Sequence, residues 1–412
     1  MTGIERRRWV IVGALFVNLT IMFGGGILTF GVFFNPLRTH FSWSYEQTSS
    51  LLTILLLTIT VTAPAVGWLL DRVEARWAII AGAILMAAGD VIASRSHAYE
   101  PMAIAYVISG AGLALSTLVA AQVVIAHWFE ERMRGAAFGI AAAGTAAGGF
   151  TMVLLAAGTL AHWGWRGAFL AMAAPIVVIV IPLTALVIRG RPPVAISHSA
   201  IHSELPGLDI SQGVRTGAFW LIMLGYLCYG FAVGMPVAYI IPFFIKIGNA
   251  PHAAAMLVVY YEIIATAGSL MMGVFGDKLG GKVSVAFCFV IMGISLIALL
   301  GGRAISMKIL FIVLFGLAVA SPTALLALLL AQTMGLRSFG FFSGAGQFLL
   351  NLGFAVSPFV GGYLIDTTHA YRDAFGLCAI VALIAAAVCL AVYVPKTGNV
   401  NSTEIKISNM SA

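Results

Sequence analysis

Twelve long apolar runs, separated by short polar segments, form the dominant pattern of this chain. Each run holds at least about 18 residues, enough for a helix rising 1.5 Å per residue to cross the hydrocarbon core of a bilayer. The runs fall at 9–35, 48–70, 77–95, 101–127, 134–158 and 167–188, and then at 216–246, 253–276, 283–301, 306–333, 339–363 and 373–394. This pattern predicts an all-α membrane protein with twelve transmembrane helices.

The runs divide six and six around one long hydrophilic stretch, 189–215, which contains three prolines and scattered charges. Such a composition is typical of a linker rather than of a third domain. We therefore predict an N-terminal six-helix bundle over residues 1–188, a cytoplasmic linker over 189–215, and a C-terminal six-helix bundle with a short cytoplasmic tail over 216–412.

A short charged turn between the second and third runs recurs between the eighth and ninth. The copies are 206 residues apart, which pairs Gly67 with Gly273, Asp71 with Asp277, Arg72 with Lys278, and Arg76 with Lys282. The repeat indicates two similar halves joined end to end. The glycines allow close helix approach, and the acids can pair with bases or with the positive end of a neighbouring helix. Alternatively, the bases only fix the topology.

Composition narrows the class of protein further. Hydrophobic residues make up 61% of the chain and charged residues 9%, which leaves too little polar surface for a water-soluble globule. Fifteen Lys and Arg residues fall on the side of the termini and seven on the other, which places both termini in the cytoplasm. Because these bases lie singly or in small groups at the ends of the runs, we do not expect nucleic-acid binding. We expect a multi-pass protein of a bacterial inner membrane.

Two acids, Asp90 in the third run and Glu262 in the eighth, are the only charged residues well within the runs. A charge at the bilayer centre costs roughly 2.5–3.5 kcal/mol on insertion scales, so each is a functional candidate. Glu262 lies eleven residues before Gly273 and therefore near mid-membrane. We predict that Glu262 takes up and releases a coupled proton; the alternative is a hydrogen bond between helices. Asp90 is a second proton-coupling candidate, with packing or hydration at the lipid edge as its alternative.

Polar and aromatic side chains within the runs are the candidates for a substrate site. Glycines in the first run, at 24–26, and glycines and a proline in the seventh, at 230–236, predict interrupted helices at matching places, which in transporters mark the central site. The alternative is close packing by small residues. The substrate-binding candidates are Asn18, Gln122, Tyr226, Tyr229, Tyr261, Gln332, Gln347 and Asn351. For each of these singly, a hydrogen bond between helices is the competing role.

Two motifs connect these features to a known family. The pattern G-x-x-x-D-[RK]-x-x-x-[RK] at both charged turns resembles the hallmark loop of the major facilitator superfamily. A second pattern, W-F-x-x-x-x-R-G-x-A-x-G-x-x-x-A-G, starts at Trp128 and resembles the monocarboxylate transporter and oxalate:formate antiporter branch. The segment Gly31-Val-Phe-Phe-Asn-Pro-Leu37 is similar to that branch as well.

The resemblance implies a fold of two pseudo-symmetric six-helix bundles and a site between them. In the branch, a base four residues before the glycine that is Gly273 here binds the substrate carboxylate; this sequence has Ser269 there. A second base of the family falls on Leu28, and a third on Gly346. The resemblance thus places Leu28 and Ser269 at the substrate site, but without the bases a dianion such as oxalate is a poor fit. It also implies that contacts of the charged turns hold the outward-open state.

The function we expect is secondary active transport by alternating access, with proton-coupled symport of a small monocarboxylate. The alternative is a proton-driven exporter of amphipathic or cationic compounds, which an acid without a partner base would suit. An enzyme is not expected, because the runs carry no H-E-x-x-H motif and no nucleophile beside a base. We expect no cofactor and no metal. The expected partners are the substrate, protons and lipid, and the protein is expected to act as a monomer.

Overall fold

The computed structural model describes residues 3–188, 207–301 and 304–394. Within them the first half is a series of helices and two short π-helical segments, Gly24–Leu28 and Ile176–Val180. The α-helices of this half are α1 Gly3–Phe23, α2 Phe30–Phe41, α3 Tyr45–Leu70, α4 Ala75–Arg95, α5 Tyr99–Ser116, α6 Leu118–Trp128, α7 Glu131–Pro175 and α8 Ile181–Val187.

The second half follows a short connecting helix, α9 Ile210–Val214. Most of the predicted linker and the predicted tail beyond residue 394 lie outside the described residues. The remaining helices are α10 Gly217–Lys246, α11 Pro251–Leu279, α12 Gly281–Leu300, α13 Ile305–Val319, α14 Ser321–Met334, α15 Phe339–Thr368 and α16 Tyr371–Ala391.

Eleven helical stretches of the described chain are long and apolar enough to cross a membrane. The longest, Met133–Val187, has 55 residues and a length of about 82 Å, more than twice the hydrocarbon thickness. Gly164 lies inside it with φ 65° and ψ −178°, a conformation that ends one helix and starts the next. This stretch therefore supplies two spans, and the prediction of twelve transmembrane helices in two bundles is confirmed.

Spans are numbered in chain order. Span 1 comprises α1, the first π-helical segment and α2; span 2 is α3, span 3 is α4, and span 4 comprises α5 and α6. Spans 5 and 6 are the parts of α7 before and after Gly164, the latter continued by the second π-helical segment and α8. Span 7 is α10, span 8 is α11, span 9 is α12, span 10 comprises α13 and α14, span 11 is α15, and span 12 is α16.

The glycine run of span 1 coincides with the π-helical segment Gly24–Leu28, so the interruption predicted there is confirmed. Gly24 also lies against span 5, where a Cβ on it would come within 2.6 Å of the Gly148 Cα. Small residues on both helices allow this approach, because lipid exerts no hydrophobic force between spans and packing must supply the contact.

The corresponding interruption predicted in span 7 is wrong. Helix α10 continues unbroken through Gly230, Gly234 and Pro236. Its glycines face span 11, where an added Cβ would lie 1.9 Å from the Leu350 carbonyl oxygen and 2.5 Å from that of Phe354. The glycines of span 7 therefore serve close packing, which was the alternative interpretation.

Candidate functional site

The two charged turns lie on one face of the molecule, which we call the turn face. The Asp71 carboxylate, from the first half, accepts hydrogen bonds from the backbone N–H groups of Gly340 and Phe341 at 2.7 and 2.9 Å. These two residues belong to the first turn of α15, in the second half. Unpaired N–H groups and the helix dipole favour an anion at this place. The contact holds the halves together on the turn face.

Asp277 makes the equivalent contact in the opposite direction. Its carboxylate, from the second half, accepts from the N–H groups of Gly135 and Ala136 at 2.6 and 2.8 Å, near the start of α7. We call these two contacts the aspartate clamps. Close approach accompanies both: a Cβ on Gly67 would lie 2.1 Å from the Gly340 carbonyl oxygen, and one on Gly273 would lie 2.5 Å from that of Gly135.

The two arginines of the first turn make contacts within their own half. The Arg72 guanidinium donates to the Trp68 carbonyl at 3.2 Å and lies 3.8 Å over the Trp68 ring. Arg76 pairs with the acid two residues before it at 3.6 Å. Lys278 is exposed, and Lys282 is half-buried. The bases therefore differ from the acids, which bridge the halves.

A large cavity lies between the two halves and is closed on the turn face. Its empty volume is about 1780 Å³, including the part open to solvent. Spans 1, 2, 4 and 5 line it from one side and spans 7, 8, 10 and 11 from the other. The lining reaches Val237 and Ile241, near the end of α10 that is remote from the turn face. We call it the central cavity.

The lining of the central cavity is mainly apolar. Glu262 is the only charged side chain among the described residues that line it. The Tyr229 and Tyr261 hydroxyls are near enough to interact electrostatically with the Glu262 carboxylate. Tyr229 is fixed by donating to the Val319 carbonyl at 2.5 Å, and Tyr261 packs edge-on against Phe315. The Glu262 carboxyl therefore lies between fixed aromatic side chains and faces the central cavity.

A hydrogen-bonded bridge closes the bottom of the cavity toward the turn face. Gln122 of span 4 is buried; its Nε2 donates to the Thr323 carbonyl at 3.3 Å, and its Oε1 accepts from the Ser343 hydroxyl. Both partners belong to the second half. Ser269 of span 8 adds a second link, since its hydroxyl donates to the Gly139 carbonyl of span 5 at 2.9 Å.

Six of the residues predicted for the site line the central cavity together, although the spans that carry them are far apart in sequence. Leu28 comes from span 1, Tyr229 from span 7, and Tyr261 and Glu262 from span 8, while Gln347 and Asn351 follow each other by one turn of span 11. The Gln347 Nε2 is buried without a hydrogen-bond partner.

Five other substrate candidates do not line this cavity. Asn18 is buried and donates to the Ser116 carbonyl at 2.6 Å, within the first half. Gln332 accepts from the Gly281 N–H at 3.1 Å, within the second half. The remaining three are Tyr226, buried against Gly346, and the residues of the bridges, Gln122 and Ser269. The sequence indicates depth in the membrane but not which side of a helix faces the cavity, so it does not separate these five residues from those of the lining.

Sequence reasoning did not identify Thr323 and Ser343, the partners of Gln122. Hydroxyl residues are common in membrane helices because they can bond to their own backbone, so their types carry no signal. Only their place opposite Gln122 distinguishes them.

Asp90 is not brought together with Glu262. It lines a separate, smaller cavity inside the first half and is only 7% exposed, so it does not lie at a hydrated lipid edge.

Solved structures share this architecture. The human organic anion transporter MFSD10 is similar with a TM-score of 0.74 at 13% identity, over 93% of this chain and 99% of that one. The proton:xylose symporter XylE is similar with a TM-score of 0.72 at 15% identity, over 95% of this chain and 97% of that one. At these identities the similarity concerns the fold.

Relatives at the sequence level are also transporters rather than enzymes. Monocarboxylate transporter 12 of Xenopus laevis is 22% identical over 89% of this chain and 84% of its own length. Monocarboxylate transporter 3 of Rattus norvegicus is 28% identical over 90% and 76%. An uncharacterized MFS-type transporter of Bacillus subtilis (strain 168), YcxA, is 24% identical over 95% and 96%. The family model of the Major Facilitator Superfamily matches residues 14–248 and 222–408, so that both halves, both clamps and the cavity between them fall within it, and the chain belongs to this superfamily.

Proposed function

We propose that this membrane transporter works by alternating access and carries a small monocarboxylate together with a proton. The observation that carries the proposal is Glu262, the one charged side chain among the described residues that line the central cavity. A carboxyl between two moving halves can meet water from one side and then from the other. It is therefore in a position to collect a proton on one side of the membrane and release it on the other.

The charge of the cavity makes proton uptake a condition for binding an anion. The described lining offers no Lys or Arg to a carboxylate substrate. With Glu262 ionised, a bound carboxylate would lie beside a like charge in a site of low dielectric constant. With Glu262 protonated, the carboxyl donates a hydrogen bond to the substrate instead, and the combined charge of acid and substrate falls to that of one anion. Substrate and proton are thereby coupled.

Other polar groups of the lining are suited to a small organic acid. The Gln347 Nε2 is a buried donor without a partner, and Asn351 lies one turn further along span 11. The surrounding apolar surface suits a weakly polar organic part. The similarity to monocarboxylate transporters supports this substrate class.

Alternation requires that the contacts on the turn face open while the far side closes. These contacts are the aspartate clamps and the bridges of Gln122 and Ser269. The excess of bases on the side of the termini supports a cytoplasmic turn face. On this basis the conformation described here is the one open to the outside, and we propose a bacterial inner membrane as the location.

A second candidate function rests on the same carboxyl. An apolar cavity whose described lining has one acid and no base also fits a lipophilic cation, which the ionised Glu262 would attract and a proton would displace. This would be proton-driven export.

A transport assay in proteoliposomes that contain the purified protein distinguishes the two candidate functions. Uptake of a labelled monocarboxylate panel and of a labelled lipophilic cation is measured with and without an imposed pH gradient. Glu262→Gln is compared with Glu46→Gln, which alters an exposed acid outside the cavity. We expect monocarboxylate uptake to rise with an inward proton gradient, and Glu262→Gln to remove this dependence while Glu46→Gln keeps it. Exchange of the cation for protons would favour the second function, and an unchanged gradient dependence in Glu262→Gln would reject the role of this acid.

A further inference from the structure

A further cavity, lined by Asp90, lies inside the first half, away from the boundary between the halves. Its empty volume is about 390 Å³, against 1780 Å³ for the central cavity. Spans 1, 2, 3, 4 and 6 supply its described lining. Because it is enclosed by one bundle, it does not need to open and close with the movement of the halves.

The chemical feature of this cavity is the carboxylate of Asp90. The side chain is 7% exposed, and its Oδ2 atom is buried without a hydrogen-bond partner. A buried carboxylate oxygen that has lost water and gained no partner is costly, so such a group ordinarily has a cation beside it. The lining contains no Lys, Arg or His among the described residues. The counter-charge must therefore come from a bound ion or proton.

In the described lining, the other polar side chains around Asp90 offer oxygen atoms. Thr29, Tyr106 and Ser109 contribute hydroxyls to the lining. Ser109 lies against the span-3 backbone beside Asp90, where a Cβ on Gly89 would come within 2.1 Å of the Ser109 Oγ. The Tyr106 hydroxyl is near enough to interact electrostatically with the carboxylate. Carboxylate and neutral oxygens are the donors that hard cations prefer.

The charge of the site selects among hard cations. One carboxylate is neutralised by one monovalent ion, whereas Mg²⁺ or Ca²⁺ would leave a positive charge inside an apolar bundle. A proton would neutralise it as well, but a protonated carboxyl requires one acceptor. The hydroxyls of three residues on spans 1 and 4 exceed that requirement and fit the larger coordination shell of a metal ion.

The wall of this cavity is shared with the central cavity. Gly25 and Gly26 of the π-helical segment line the cavity of Asp90, while Ile27 and Leu28 of the same segment line the central cavity. Thr29 closes the segment by donating its hydroxyl to the Gly25 carbonyl at 2.5 Å. An ion at Asp90 would therefore fix the backbone that carries a wall of the transport site.

We propose that Asp90, with the Thr29, Tyr106 and Ser109 hydroxyls, forms a sodium site in the first half that stabilises the π-helical segment of span 1. The site is distinct from the proton-coupling role proposed for Glu262, and it does not depend on which substrate is carried.

The test measures sodium binding without transport. Full-length protein purified in detergent is assayed by equilibrium binding of ²²Na⁺ and by thermal unfolding, with NaCl exchanged for choline chloride at constant ionic strength. We expect saturable binding and a saturable rise in Tm with Na⁺. Asp90→Asn should abolish both effects, and Ser109→Ala should weaken the apparent affinity by about tenfold, the loss of one ligand. Glu262→Gln, outside this cavity, should retain both.

Equal Tm values in NaCl and choline chloride, without ²²Na⁺ binding, would overturn the proposal, as would a sodium effect that persists in Asp90→Asn. A Tm that responds to pH through Asp90 and not to Na⁺ would identify a proton site and overturn it too. If Asp90→Asn does not fold, an unchanged sodium affinity in folded Ser109→Ala would count against the site. Retention of the sodium effect in Glu262→Gln keeps this outcome separate from that of the proposed transport function.

Discussion

Replacement of Asp71 by Asn tests whether the aspartate clamps hold the closed turn face. The side chain keeps its shape but loses its charge and one of its two acceptor oxygens. In the closed state the carboxylate accepts from Gly340 N–H at 2.7 Å and from Phe341 N–H at 2.9 Å. Because the donors belong to the other half, separation of the halves on this face must break both bonds.

The size of the effect follows from these two bonds. Hydrogen bonds to a charged group contribute roughly 1.5–3 kcal/mol each, and Asn can retain one neutral bond of about 1 kcal/mol. Asp71 is only half-buried, so we take a net loss at the low end, about 2 kcal/mol. At 1.4 kcal/mol per factor of ten, the ratio of closed to open turn face should fall about 30-fold.

Spin labels at two exposed turn residues, Val73→Cys in the first half and Leu279→Cys in the second, report the separation of the halves. The four native cysteines are buried, which confines labelling to the two introduced sites. Asp71→Asn should add a longer distance to the distribution measured by double electron–electron resonance. The control is Asp209→Asn, an acid of the linker whose ion pair with Arg337 joins the linker to the second half and does not bridge the two halves.

A distribution in Asp71→Asn that matches the unmodified protein would refute the clamp, provided that the label pair detects opening when the second clamp is removed by Asp277→Asn. An equal change in Asp209→Asn would show that the shift arises from surface charge in general and not from bonds between the halves.

Two further predictions use the same labels. Gly67→Ala should favour the open turn face and slow transport at least about tenfold, because its Cβ would meet the Gly340 carbonyl oxygen at 2.1 Å, whereas Gly158→Ala has open space and should change neither quantity. A short distance and normal uptake in Gly67→Ala would contradict this. Ser343→Ala removes the hydroxyl donor to Gln122 and should shift the closed-to-open ratio by about 1 kcal/mol, or fivefold. No shift would mean that this bridge does not contribute to closure.

The depth of a residue in the membrane could be predicted from the sequence. Which side of its helix faces the cavity could not. Glu262 lies eleven residues from Gly273, which indicated mid-membrane, and it lines the central cavity. Asn18 and Gln332 were chosen by the same kind of reasoning, yet each bonds within its own half. Since lipid and bundle interior are both apolar, helix amphipathicity carries little information about which side faces a cavity.

Glycine patterns had a similar ambiguity. The run that starts at Gly24 becomes a π-helical segment, whereas Gly230 and Gly234 lie in a continuous helix that packs closely on span 11. Glycine permits both outcomes because it lacks a side chain, and the neighbouring helix decides between them. By contrast, the two charged turns could be identified without knowing which helices pack against them, because the same motif occurs twice in the sequence.

The aspartate clamps have a consequence for the origin of the chain. Each half supplies the acid that binds the other, and the helix starts that receive them, Gly135 and Gly340, are 205 residues apart, almost the spacing of the acids. Such reciprocity is that of an isologous dimer, in which one surface meets its own copy about a two-fold axis. Two copies of an ancestral six-helix chain could thus have formed a homodimer held by a pair of identical aspartate clamps. The halves are not identical, however: the counterpart of Glu262 in the first half is Leu56, so the aspartate clamps are symmetrical while the cavity acid belongs to the second half alone.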